Sequence, residues 1–313
     1  MEENLNENNF IEPEFLPTQT KYSPIPFALI SLVVILISYQ IIGGGLALFA
    51  AGFRNPDTAI LRAATMGAQI IFLLLPTLWL LKRQHGRFEL ALPFRTPSFG
   101  EFILSTVALF ALLQILDGYM YFQAMIPVSP ELQKIIDMFK KMIEEGYRQL
   151  VAAESPVELL YVLAVISITP AICEEILFRG LVQKNFSLAM TPTKSFLLTG
   201  IIFGLYHFNP FQVVPLIAIG IFLSLLRFRS NTLVLPMTMH FFNNTLSVAG
   251  VYLYGFDEAA DSSSLGLPND TPGSVFSKII FFGIIFSVTV WYYYKTTETL
   301  HEKNEPFGKF GSR

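Results

Sequence analysis

Residues 157–182 read VELLYVLAVISITPAICEEILFRGLV. Apolar side chains fill most of this run, yet Glu174, Glu175 and Arg179 stand in its second half. An ionisable side chain at membrane depth costs about 2.5–3.5 kcal/mol on insertion scales, so three of them in one greasy stretch ask for a reason. The rest of the chain shares the bias. Of 313 residues 52% are hydrophobic and 14% charged, where a soluble domain carries about 25% charged residues. Mean hydropathy is +0.51. So few charges cannot cover a soluble surface, and the composition specifies a polytopic membrane protein. A net charge of −3 excludes a basic nucleic-acid binder. The single cysteine, Cys173, excludes a disulfide framework and a thiolate zinc cluster.

Working outward, apolar runs at roughly 26–53, 61–81, 101–126, 157–182, 195–208, 211–226, 232–254 and 274–294 predict an all-α membrane bundle of about eight transmembrane helices. About 20 residues cross the hydrocarbon core at 1.5 Å rise each. The fifth and sixth runs are short and parted by Asn209-Pro210, so they are two short spans or one broken hairpin. Gly43-Gly44-Gly45 allows close helix packing or a bend. Between residues 130 and 150, Leu132, Ile135, Ile136, Phe139, Met142 and Ile143 recur at helical spacing among charges. That pattern predicts an amphipathic helix, lying on the membrane surface or packed on the bundle.

The organisation expected is a polar, disordered tail at 1–22, N-terminal transmembrane helices at 23–100 and a core at 101–254. An acidic loop at 255–273, a last transmembrane helix at 274–295 and a polar tail at 296–313 follow. The first segment lacks a basic region leading into an apolar core, so it does not read as a signal peptide. Lys82, Arg83, Arg87 and Arg95 in one connection, with Lys295, Lys303, Lys309 and Arg313 at the end, place both termini in the cytoplasm by the positive-inside rule. The 255–273 loop has acids and no Lys or Arg, as an outer loop should.

Three groups of polar residues interrupt the later runs. Glu175 and Arg179, four apart on a helix, share a face and can pair, whereas Glu174 is turned about 100° away. One carboxylate is then neutralised and the other left free for chemistry; a membrane-border triplet in the headgroups is the plain alternative. Pro170 frees a carbonyl upstream and favours a kink. Phe203-Gly204-Leu205-Tyr206-His207 closes the fifth run, and a lone His near a helix end is ordinarily structural. His240 and Asn244 face one way in the seventh run; interhelical hydrogen bonding explains one such residue better than two. A Glu pair, two His and an Asn on three apolar helices carry more weight together than singly. Cys173 reads as packing. Asp117, with Gln114 and Gln123, reads as cavity lining or interface.

Glu174-Glu175-x-x-x-Arg179, Phe203-x-x-x-His207 and His240-x-x-x-Asn244, in that order over roughly residues 100–250, resemble the CPBP family. These are CAAX prenyl endopeptidases of the Ras-converting type and their bacteriocin-processing, Abi relatives. The resemblance implies an intramembrane endopeptidase whose catalytic core is 101–254 and whose cavity opens to the cytosol. It implies that Glu174 is the general base on a water that His207 helps bind, that His240 and Asn244 stabilise the oxyanion, and that Glu175 is required, with Arg179 paired to it and Phe203 supporting. Burial raises a carboxylate's basicity, and donors aimed at a developing O⁻ act strongest where water is excluded. Partners are then the lipid bilayer and a protein or peptide substrate, prenylated or not, in a bacterial inner membrane, with no nucleic acid.

The family's metalloprotease label corresponds to a second arrangement, Glu174, His207 and His240 as a zinc site with an open position. Metal-free catalysis is favoured, because His240 with Asn244 suits an oxyanion clamp. There is no Gly-x-Ser-x-Gly elbow and no His-Glu-x-x-His pair. A proton or ion pathway would call for inverted repeats, which the sequence does not show. A non-catalytic immunity or partner protein on the same scaffold is the third alternative.

Overall fold

The computed structural model describes residues 20–53, 56–86, 88, 91–256 and 271–304. The expected disordered tail and acidic loop fall mostly outside these, as does the end of the C-terminal tail. Among the described residues there is no strand. Nine helical runs follow one another: α1 (Pro24–Ala51), α2 (Thr58–His85), α3 (Phe99–Ala124), α4 (Pro130–Val151), α5 (Pro156–Ser187), α6 (Pro192–Tyr206), α7 (Val213–Ser230), α8 (Val234–Tyr254) and α9 (Pro272–Asn304). The fold is a polytopic helical bundle.

Helix starts follow local chemistry. Asp57, Ser98, Ser129, Ser155 and Thr191 each accept a backbone N–H of the first turn, and Ser98 forms a reciprocal capping box with Glu101. Six helices among the described residues, α1, α2, α3, α5, α7 and α9, are long and apolar enough to cross a membrane. The expected count of about eight is reached by adding α6 and α8. The first has 15 residues, about 22 Å at 1.5 Å per residue, short of a hydrocarbon core. The second is long enough, with 21 residues, but its Thr238, His240, Asn243, Asn244 and Thr245 lower its hydropathy.

The Asn209-Pro210 segment joins two separate helices. α6 and α7 form a tight hairpin because Gly200 and Gly204 let the backbone of α7 approach at Ile221 and Ile217. A Cβ on Gly200 would run into the Ile221 backbone, and one on Gly204 would lie 2.6 Å from the Ile217 nitrogen. This small-xxx-small spacing is the usual device for close packing in lipid. Gly43 serves similarly on a smaller scale, facing Phe72 and Ala68 of α2, while Gly44 and Gly45 meet little.

Hydrogen bonds define two ends of the bundle. At one, Lys21 bonds the Gln84 carbonyl, Gln84 meets Asn185, Leu233 meets Pro93, and Arg229 reaches Tyr294 and Thr297. At the other, Gln123 donates to the Phe211 carbonyl and Asp117 pairs with Lys278 of α9. Asp117 and Gln123 are therefore interface residues. Arg62, buried in α2, holds Glu158 and the carbonyls of Leu150 and Ala152, pinning the end of α4 to the start of α5. Near that end Tyr147 also bonds Ser247 of α8 and packs on Phe256, over which Arg148 lies. Leu132, Ile135, Met138, Phe139 and Met142 are exposed, so the helix does not pack that face on the bundle.

Four stretches are π-helical: Ile37–Gly43 in α1, Gln69–Leu74 in α2, and Ala164–Ile168 and Ile176–Val182 in α5. The first two touch one another, and the second touches Thr169–Glu175. Such bulges are frequent at functional sites because they re-aim side chains inside a helix.

Candidate active site

The site is built on α5. Pro170 has no N–H, so the carbonyl four residues earlier, that of Ile166, loses its helical donor. Asn244 of α8 supplies one: its Nδ2 donates to that carbonyl at 3.0 Å. The Oδ1 of the same amide accepts from Asn243. One of the two amide N–H groups of Asn244 is thus committed to scaffolding and one is left over.

One turn beyond Pro170 comes the glutamate pair. Glu175 is fully buried and its Oε1 accepts from Arg179 at 2.7 Å and from His240 Nδ1 at 2.9 Å. Arg179, equally buried, also donates to the Gly220 carbonyl at 2.8 Å and lies over the Phe203 ring, 4.7 Å from its centroid. A buried charge needs such compensation. Because a carboxylate accepts, Nδ1 of His240 is the donor here, and Nε2 is left on the far side of the ring. His207 is set the same way. Its Nδ1 donates to the Phe203 carbonyl at 2.7 Å, which leaves Nε2 bare.

The Nε2 atoms of both rings face Glu174. Its Oε2 lies 3.7 Å from His207 Nε2 and 4.0 Å from His240 Nε2. That oxygen is buried and has no hydrogen-bond partner among the described residues. Glu174 Oε2 and His207 Nε2 are both acceptors and cannot bond each other. A water, with two protons to give, suits the pair, and the gap exceeds direct hydrogen-bond distance. Glu174, Glu175, Arg179, His207, His240 and Asn244 are therefore gathered at one place. Phe203 is the ring packed between them, edge-on to His240 at 5.8 Å and against His207 at 4.6 Å. Cys173 is buried and free, with no part in the cluster's hydrogen bonds.

The sequence motifs do not reach Tyr39 or Gln69 and give no role to Tyr206, an unspecified position of Phe203-x-x-x-His207, yet the structure brings these to the same place. Tyr39 and Tyr206 lie close enough to Glu174 to feel its charge, and the buried Gln69 leaves Oε1 unpartnered. Tyr39 and Gln69 come from the two π stretches of α1 and α2. The polar interruption of an apolar run was the signal available, but without a partner motif it named no role. Beside the cluster, a groove of about 230 Å³ runs between α5 and α8, lined by Ile168, Ala171, Ile172, Met237, Thr238 and Phe241. Ala171 is one turn from Glu175, and Met237 and Phe241 flank His240.

Glu174, His207 and His240 are the residues that the sequence offered for zinc. Ligands at about 2.0–2.1 Å in a tetrahedron stand about 3.3 Å apart, less than the 3.7 and 4.0 Å between Glu174 and the two imidazoles. Among the described residues no group of three or more His, Cys, Asp and Glu is arranged to hold a metal ion.

Residues 156–246 match a protein-family model, that of the type II CAAX prenyl endopeptidases, Rce1-like. The chain is similar to that family over this segment, which is less than a third of its length. The matched segment comprises α5, α6, α7 and the first half of α8, and so holds Glu174, His207, His240 and Asn244 together. Helices α1 to α4 and α9 lie outside it. No curated protein and no solved structure matches the chain.

Proposed function

We propose that the chain is an intramembrane endopeptidase of the CAAX-protease type, working without a metal on a membrane-associated or lipid-modified protein or peptide. The observation that carries this reading is the buried, unpartnered Oε2 of Glu174 facing the Nε2 atoms of two imidazoles. It suits one water held for deprotonation. The Rce1-like match over 156–246 supports the reaction class.

In this mechanism the water gives hydrogen bonds to Glu174 and to His207 Nε2. Glu174 takes one proton as the water oxygen bonds the scissile carbonyl carbon, and the carbonyl electron pair moves onto oxygen. The free N–H of Asn244 and a protonated Nε2 of His240 face that oxyanion. Glu175 holds Nδ1 of His240 and stabilises its cation, while Arg179 anchors Glu175. Collapse re-forms the carbonyl, breaks the C–N bond, and the leaving amine takes the proton from Glu174. General-base help of this kind contributes about 10²- to 10⁴-fold. Preorganised donors add to it in a dry site. The apolar groove between α5 and α8 offers a place for an aliphatic or isoprenoid part of the substrate. Both termini on the cytoplasmic side follow from the positive charge.

The test is the full chain in proteoliposomes with prenylated and unprenylated peptides ending in Cys-a-a-X, products being identified by mass spectrometry. Cleavage at a single peptide bond is expected. Absence of cleavage of every peptide, together with a Glu174-dependent ion or proton flux, would replace the protease with a transporter.

A further inference from the structure

At the end of the bundle where α2, α5 and α7 finish, three basic side chains meet with no acid paired to them among the described residues. Gln84 of α2 donates to Asn185 of α5 at 2.8 Å, and Gln183 of α5 donates to the Ser224 carbonyl of α7 at 2.8 Å. These contacts bring His85, Lys184 and Arg227 onto adjoining helix ends. Arg227 and Lys184 feel one another's charge, and so do Lys184 and His85. Arg227 is 8% exposed. Its Nη1 donates to Asn231 Oδ1 at 3.2 Å, and its Nε has no partner. Both ring nitrogens of His85 are buried and unpartnered.

The other buried arginines are answered. Arg179 has Glu175, Arg62 has Glu158, and Arg229 has Thr297 and the Tyr294 carbonyl. Among the described residues the carboxylate at this end is Glu101, and Arg95 takes both its oxygens. A buried guanidinium with one neutral amide for company is costly, and a second cation beside it raises the cost. An anion from outside the chain removes it. The spans end here, at His85, Ser187 and Ser230, which is the depth of lipid headgroups.

We propose that Arg227, Lys184 and His85 form a binding site for a phosphate group, supplied by the headgroup of an anionic phospholipid of the adjoining leaflet. Two phosphate oxygens accept from the Arg227 guanidinium and the Lys184 ammonium, the charge-assisted geometry arginine favours. Basic pockets between helices at a membrane face are suited to this chemistry.

The experiment uses the full chain purified in detergent with phosphatidylcholine, titrated with phosphatidylglycerol, bound lipid being counted by native mass spectrometry. Wild type should retain phosphatidylglycerol in preference to phosphatidylcholine. Arg227→Gln and Lys184→Gln should each weaken it about fivefold, and Lys82→Gln, an exposed lysine at the same end, should leave it unchanged. Should Arg227→Gln fail to yield folded protein, the half-buried Lys184 decides. Displacement of the lipid by millimolar inorganic phosphate would mean that the site reads phosphate itself; resistance to it, with the same variant dependence, would mean that the whole lipid is held. Equal retention of phosphatidylglycerol by wild type and Lys184→Gln, or of both lipids by wild type, overturns the proposal. Peptide cleavage is not the readout, so the result stands apart from the protease reading.

Discussion

Arg179→Leu is the most demanding perturbation of the scaffold. Arg179 and Glu175 are both 0% exposed and 2.7 Å apart, so the substitution leaves a carboxylate in the core with His240 Nδ1 as its remaining donor. The Gly220 carbonyl loses its partner too. Breaking a buried pair on one side costs about 3–5 kcal/mol, mainly as an uncompensated charge. Removing both charges is often neutral. Arg179→Leu should therefore destabilise the fold by about 3–5 kcal/mol, and Glu175→Gln with Arg179→Leu should recover most of that loss. Reversible unfolding of the full chain in mixed micelles, followed across a denaturant series, measures both. The double variant should refold but cleave slowly, since a neutral amide stabilises the His240 cation poorly. If Arg179→Leu unfolds with wild-type free energy, or if the double variant is as unstable as the single one, the buried pair does not work as described.

Asn244→Ala should destabilise by about 1–2 kcal/mol, because the Ile166 carbonyl next to Pro170 loses its donor, and should also lower kcat; unfolding curves and initial rates separate the two effects. Gly204→Ala should drive apart α6 and α7, since its Cβ would meet the Ile217 backbone at 2.6 Å, and size-exclusion profiles should show loss of monodisperse protein. Chelators at millimolar concentration should leave cleavage unchanged, read from initial rates before and after exhaustive dialysis.

Much of this was legible in the sequence for a physical reason: polar groups in apolar helices are costly, so those present report contacts. The i, i+4 spacing of Glu175 and Arg179 gave their pairing and set Glu174 apart. Pro170 announced a free carbonyl, though not that Asn244 would take it, because a helix pattern carries no information on the partner across the interface. Tyr39 and Gln69 were illegible as site residues for the same reason. Their approach to Glu174 depends on two π-helical stretches that no local propensity marks. Counting spans by hydropathy blurred at α6, which is too short at 15 residues, and at α8, where His240 and Asn244 of the site themselves dilute the apolar signal.

The central claim rests on one oxygen, Glu174 Oε2, and on the water it would activate. Glu174→Gln keeps the shape and removes the base. With the unfolding curve of the wild type retained, the initial rate of peptide cleavage in proteoliposomes should fall by at least about 100-fold. A folded Glu174→Gln variant that cleaves at the wild-type rate would contradict the account.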